Sequence, residues 1–300
     1  MWVYYALIIL SVVMFGGGFG LQDLYRKKRG SNLLISMESA CIGSVAGLLV
    51  LLAIDGFSLE FTPFTLLMAF LAAVNSLAFT FCSFRALDYI NLSLFSLFTM
   101  LGGMVLPFFQ GILFFNEGFT LAKGVCVAFI CLALICTIEK GNKKSGTIFY
   151  LGVFILNGAS GVISKLFTAS DYPKTSAAGY SIWIAVVTVL LSAIAWFVLK
   201  KLEKQEKSND NQSCYPSKKG LLQSYGIGAL QGAINKVANF ILVIALVHVD
   251  ASVQYPMVTG GTMIVSTIIS YFGDKKPSKK EILSIVLAFA GMLALFLIPV

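Results

Sequence analysis

The chain has 300 residues, 58% of them hydrophobic and only 12% charged, with a mean hydropathy of +0.87. A soluble domain carries roughly 25% charged residues, so the composition excludes an ordinary globular fold and makes the bilayer the solvent. The net charge of +8 does not point to nucleic acid, because the basic residues lie in alternate loops rather than in one polar domain or tail.

Ten apolar stretches are long enough to span, each needing about 20 residues. In chain order they cover roughly 2–22, 32–54, 62–87, 91–114, 119–138, 146–168, 177–200, 219–247, 251–272 and 280–298. Met1-Trp2-Val3-Tyr4-Tyr5 lacks a basic leader region and reads as the start of the first span. Turn residues and charges mark the breaks: Arg26-Lys27-Lys28-Arg29-Gly30, Asp55-Gly56, Asn116-Glu117-Gly118, Gly141-Asn142-Lys143, Asp171-Tyr172-Pro173 and Gly273-Asp274. The polar stretch 200–219 reads as a solvated loop with no chemistry assigned to it. Cys41, Cys82, Cys126, Cys131 and Cys136 lie in apolar runs, where free cysteine acts as a small hydrophobe. With a single histidine, His248, and no CxxC pattern, no metal site or other cofactor is expected.

The second half repeats the first. Ala86-Leu87-Asp88 through Ser93, followed by Gly102-Gly103, is echoed by Ala245-Leu246-Val247 through Ser252, followed by Gly260-Gly261. Gly17 and Gly20 likewise match Gly158 and Gly161. The two offsets differ by about the length of the polar 200–219 stretch, so one insertion reconciles them. The expected fold is an all-α membrane protein of ten transmembrane helices, with one five-helix repeat over 1–140 and another over 141–300. A tandem unit with an odd number of spans inserts the second time upside down, which makes inverted halves around a central cavity, the architecture of a secondary transporter.

Lys/Arg bias sets orientation. Loops after the odd-numbered spans, with Arg85, hold 18 of the 22 basic residues. That places these loops in the cytoplasm and both termini outside.

These features resemble the drug/metabolite transporter superfamily, specifically its ten-helix EamA-type group, over essentially the whole chain. The likeness is strongest at the end of each half: Ala-Leu, a small-residue turn at Ser93 or Ser252, a helix with central small residues, then an acidic turn. Phe114-Phe115-Asn116-Glu117-Gly118-Phe119-Thr120 is similar to the family's Glu-then-Thr turn. Gly102-Gly103 occupies the region where the family often has a mid-helix proline, Pro107 comes later, and Asp274 replaces the usual glutamate. The resemblance implies a cavity lined by spans 1, 3, 4, 6, 8 and 9, with spans 5 and 10 outside it. It also implies both termini inside, against the charge bias. The family's cargoes run from amino acids to drugs, choline-like cations, sugars and nucleotide sugars, so fold alone does not choose the substrate.

Lys236 is the sharpest single signal, because it lies too deep in the eighth span to snorkel easily, and a central lysine usually faces a cavity or a partner. Gln231, Asn235 and Asn239 share its stripe with Gly228 and Gly232, so the stripe reads either as a ligand surface or as a helix-packing face. Asn75, Asn157, Thr99 and Tyr255 are further candidate substrate contacts. Glu38 is a candidate proton site, with pairing to Arg85 or reach to the interface as the structural alternatives. The glycines Gly17, Gly20, Gly102, Gly103, Gly158, Gly161, Gly260 and Gly261 read as packing or hinge positions. No catalytic residue is assigned: HExxH, GxSxG and paired deep aspartates are lacking, which disfavours an intramembrane enzyme.

The expected activity is alternating-access transport of a small organic metabolite, an amino acid or a similar zwitterion or anion. Drugs, quaternary cations and sugars remain the alternative cargoes on the same fold, and a non-transporting scaffold the alternative class. The expected partners are a small-molecule substrate and the lipid bilayer, with a proton or sodium ion for coupling, in a monomer or homodimer. The expected location is a bacterial inner membrane.

Overall fold

The computed structural model describes residues 2–55, 60–114, 121, 124–126, 128–129, 132–133, 144–206, 218–246, 249, 251–273 and 276–297. Among them there is no strand. The acidic turns expected at Asn116-Glu117-Gly118 and Asp274, and the single histidine His248, lie outside the described residues. The helices are α1 (Trp2–Arg29), α2 (Leu33–Asp55), α3 (Pro63–Tyr89) and α4 (Leu92–Phe114). Helical residues at 121, 124–126, 128–129 and 132–133 are labelled α5. Then follow α6 (Lys144–Ala169), α7 (Ala177–Glu206), α8 (Lys218–Leu246), α9 (Ala251–Tyr271) and α10 (Lys279–Leu297). Among the described residues five helical stretches are long and apolar enough to cross a bilayer: Trp2–Arg29, Leu33–Ile54, Pro63–Tyr89, Gly146–Ala169 and Ala177–Glu203. The architecture is that of a multi-pass membrane protein.

Local chemistry sets the helix ends. Gly30, at φ +102°, ends α1 in the left-handed conformation that glycine takes without a Cβ clash, and its N–H donates to the Arg26 carbonyl at 2.7 Å. The side-chain oxygens of Asn32, Thr62, Asn91 and Ser176 accept from backbone N–H groups three residues on, which starts α2, α3, α4 and α7. Ser278 and Glu281 close a reciprocal capping box at α10, with Ser278 N–H donating to Glu281 at 2.6 Å. In the 200–219 stretch, read from sequence as loop, residues 200–206 continue α7. Lysine, leucine, glutamate and glutamine are good helix formers, and nothing there breaks the helix.

Eight helices form a closed ring in the order α1, α8, α2, α7, α3, α6, α4, α9 and back to α1, with α10 packed on α9 and α4. Exchanging α1 with α6, α2 with α7, α3 with α8 and α4 with α9 leaves this order unchanged. The start of α4 is the most enclosed part: residues 91–99 are all buried, and Phe95, Leu97 and Leu101 pack with Phe19, Val153 and Met263.

Close helix approaches rest on glycine. A Cβ on Gly232 of α8 would overlap the carbonyl of Gly43 in α2, and one on Gly47 would stand 2.7 Å from Cγ of Lys236. Gly158 of α6 would meet the Gly102 carbonyl of α4 at 2.6 Å, and Gly161 would meet Pro107 at 2.5 Å. Small residues at such crossings let backbones touch where lipid supplies no hydrophobic drive. Gly17 differs, with nothing within 4 Å of its Cβ position. Gly232→Ala is therefore expected to lower stability by about 1–3 kcal/mol through overpacking. Gly17→Ala should be neutral or stabilising by up to ~1 kcal/mol through helix propensity. Thermal unfolding of the two variants in detergent checks the contrast, which fails if Gly17→Ala is the more damaging.

Candidate functional site

A polar cavity of about 230 Å³ lies within the ring, between α1, α2, α3, α7 and α8. It is built by the α2–α8 crossing. Ser39, Gly43 and Gly47 recur every four residues along one face of α2, and Gly43 and Gly47 let the polar stripe of α8 lie against that face. α8 contributes Gln231, Asn235, Lys236 and Asn239, α2 contributes Ser39 and Ser44, and α1 contributes Phe19 and Gln22. α3 adds Ser76, Phe79 and Thr80, and α7 adds Thr188. Both halves of the chain therefore supply lining residues.

Lys236 makes no hydrogen bond or ion pair among the described residues, and the cavity's lining contains no carboxylate. Its stem rests against Gly47 of α2, and its neighbours are uncharged amides and hydroxyls. Asn235 turns its amide toward Gly18 of α1, where its Oδ1 is buried and without a partner among the described residues. Asn239 donates from Nδ2 to the Asn235 carbonyl at 2.8 Å. Thr80 and Thr188 donate to their own helices, to Ser76 at 2.9 Å and Ile184 at 2.7 Å, leaving hydroxyl lone pairs as acceptors. The site thus combines one cation, four amides and several hydroxyls, with the Phe19 and Phe79 rings as apolar wall.

Of the residues expected from sequence, Gln231, Asn235, Lys236 and Asn239 come together here. Others lie elsewhere. Asn75 donates across to the Leu156 carbonyl of α6 at 2.9 Å, and Asn157 donates to the Thr99 carbonyl of α4 at 2.6 Å. The Thr99 hydroxyl donates to Phe95 of its own helix at 2.8 Å. These amides link α6 to α3 and α4. Tyr255 is in α9, but its side chain lies outside the described ones. Gly102, Gly103, Gly158 and Gly161 face each other across α4 and α6, and Gly261 meets Val12 across α1 and α9. Gly260 is buried in α9, while Gly17 and Gly20 line a second cavity.

Glu38 is 8% exposed and is not part of the cavity lining. It accepts from Arg29 at 2.6 Å and from the Tyr25 hydroxyl at 2.9 Å. Its partner is Arg29, not Arg85, which instead approaches Asp88 at 3.9 Å. The turn after α1 brings Arg29 back onto α2, a local contact that distant Arg85 cannot match. A neighbouring set joins Arg26 to Asp88 at 2.5 Å and to Asp23 at 2.7 Å, with Ser31 also bonded to Asp88.

The cavity's walls also differ from those the resemblance implied. α2 and α7 line it, while α4, α6 and α9 do not. The glycine contacts at Gly43 and Gly47 draw α2 inward, and the Gly102–Gly158 contact leaves no room between α4 and α6. Sequence reasoning missed Phe19 and Gln22 of α1 and the small-residue row of α2 as parts of the wall. For α2 the four-residue spacing of Ser39, Gly43 and Gly47 was the available signal. The second cavity, about 670 Å³, is bounded by Gly17 and Gly20 of α1, the α3–α4 turn at Ile90 and Asn91, and Ile269 and Ser270 of α9.

No family model and no curated protein matches the chain. It does match 28 chains of known structure. One, described only as the crystal structure of a protein, is 15% identical, covers 95% of each chain and has a TM-score of 0.57. That likeness establishes a shared fold and no more.

Lys236→Met tests whether the ammonium is free. Methionine avoids the roughly 2.5–3.5 kcal/mol that a central lysine costs on insertion scales. The expected melting temperature without ligand is therefore unchanged or higher. A loss of more than about 2 kcal/mol would show that Lys236 has a structural partner.

Proposed function

We propose that the chain is a secondary transporter of the drug/metabolite superfamily, EamA-type, which carries a small organic metabolite across a bacterial inner membrane by alternating access. The observation that carries this reading is Lys236, without a partner among the described residues, in a polar cavity walled by helices from both halves. A scaffold has no need of such a charge. No chemistry on the cargo is proposed: among the described residues the cavity holds a cation, amides and hydroxyls but no carboxylate base and no paired nucleophile. The cargo is taken to be an amino acid or a similar zwitterion or anion, bound by Lys236 with Gln231, Asn235 and Asn239.

The ring order supports two inverted halves, since it is unchanged when each helix is exchanged for the one five later. On that reading the contact of α4 with α6 and that of α9 with α1 are equivalent interfaces at opposite ends of the bundle. Both are in contact: Gly158 meets Gly102 across α4 and α6, and Gly16 and Gly261 meet Val265 and Val12 across α1 and α9. Gly17, the counterpart of Gly158, borders the 670 Å³ cavity instead, whose lining includes Arg26 and Lys27, residues that the Lys/Arg bias assigns to the cytoplasm.

Purified protein in liposomes is expected to show saturable uptake of a small polar metabolite, falling at least tenfold in Lys236→Met at equal reconstitution. Native levels of uptake in that variant would remove Lys236 from the pathway.

A further inference from the structure

We infer that the cavity selects a small carboxylate without an ammonium group, a hydroxy or oxo acid of net negative charge, over the matching amino acid or amine. This rests on the transport reading of the same cavity and narrows its cargo class. Lys236 is a single cation with no partner among the described residues. Among the described residues nothing in the lining is an acid. The acids nearest in sequence to the lining are committed elsewhere: Glu38 to Arg29 and Tyr25, Asp23 to Arg26 and Lys27, and Asp88 to Arg26. A carboxylate beside Lys236 supplies the missing counter-charge.

An α-ammonium is tied within a few bonds of its carboxylate. In this cavity it would stand near Lys236, repelled by a like charge and with no carboxylate to receive it. Amide and hydroxyl oxygens could accept its protons but could not neutralise it. A hydroxyl or carbonyl at the same carbon meets a better match. Asn235, Asn239 and Gln231 offer N–H donors and carbonyl acceptors, and Thr80 and Thr188 keep free lone pairs. The volume of about 230 Å³ holds about eight waters at roughly 30 Å³ each, which fits an acid of four to six carbons. Phe19 and Phe79 give its carbon skeleton an apolar wall.

Three probes of nearly one shape separate the possibilities: 2-hydroxyisovalerate (an anion), valine (a zwitterion) and valinol (a cation). Malate serves as a second anion. Binding is measured by calorimetry and thermal shift on the full chain in nanodiscs, and flux in liposomes from the same preparation. The expected result is binding of at least one of the two acids, at least tenfold tighter than valine, with no response to valinol. Lys236→Met should abolish it and Lys236→Arg should restore part of it, with the melting temperature of the unliganded variants maintained. Valine or valinol binding as tightly as the acids, acid binding that persists in Lys236→Met, or no binding by either acid each overturns the proposal. Acid binding without flux would leave the anion site standing and sink the transport reading. Flux of valine or valinol by the native chain would do the reverse.

Discussion

A charge in the middle of a bilayer needs a partner inside the protein, and that constraint organises this molecule. Elsewhere the chain meets it within itself. Glu38 is closed by Arg29 and Tyr25, and Arg26 by Asp23 and Asp88. Some polar groups away from the cavity are used in the same way. Asn75 and Asn157 spend their amides on the backbones of neighbouring helices, and Ser11 of α1 donates to the Ala238 carbonyl of α8 at 3.2 Å. Lys236 departs from this pattern. Its ammonium is held in a polar space whose lining, among the described residues, carries nothing of opposite sign. On the proposed function, a ligand from outside the chain completes that charge.

Glycine decides where the space is. At the α4–α6 crossing Gly102 and Gly158 bring two backbones together and leave no gap. At the α2–α8 crossing Gly43 and Gly232 do the same, yet both also border the polar cavity that the α8 stripe lines. Between α1 and α9, Gly16 is held against Val265 while Gly17 borders open volume. Similar sequence features thus give contact in one place and room in another. The difference lies in what faces each glycine, which is a property of the ring and not of the residue.

This explains how much could be read in advance. The bilayer setting and the helical class follow from composition and from apolar run length, because both are sums over many residues. The deep Lys236 and its amides at three- and four-residue spacing also stand out, since each is costly in lipid. Partner choice was not legible. Asn75, Asn157 and Gln231 look alike as isolated polar residues in apolar runs, yet two reach a neighbouring carbonyl and one lines a cavity. Glu38 found Arg29 rather than Arg85 because the short Gly30 turn keeps the end of α1 beside the start of α2. Helix ends were blurred where polar helix formers continue past the apolar run, as at residues 200–206 of α7.

The central claim is that one cavity is reached from the two sides of the membrane in turn. A single cysteine at Asn239, which lines the cavity, in a background with the native cysteines replaced, tests this directly. Labelling with a membrane-impermeant thiol reagent is measured separately from each side of oriented vesicles. The account predicts reaction from both sides, slowed from both by bound substrate. Reaction from one side alone would mean a static pocket or vestibule and would contradict it.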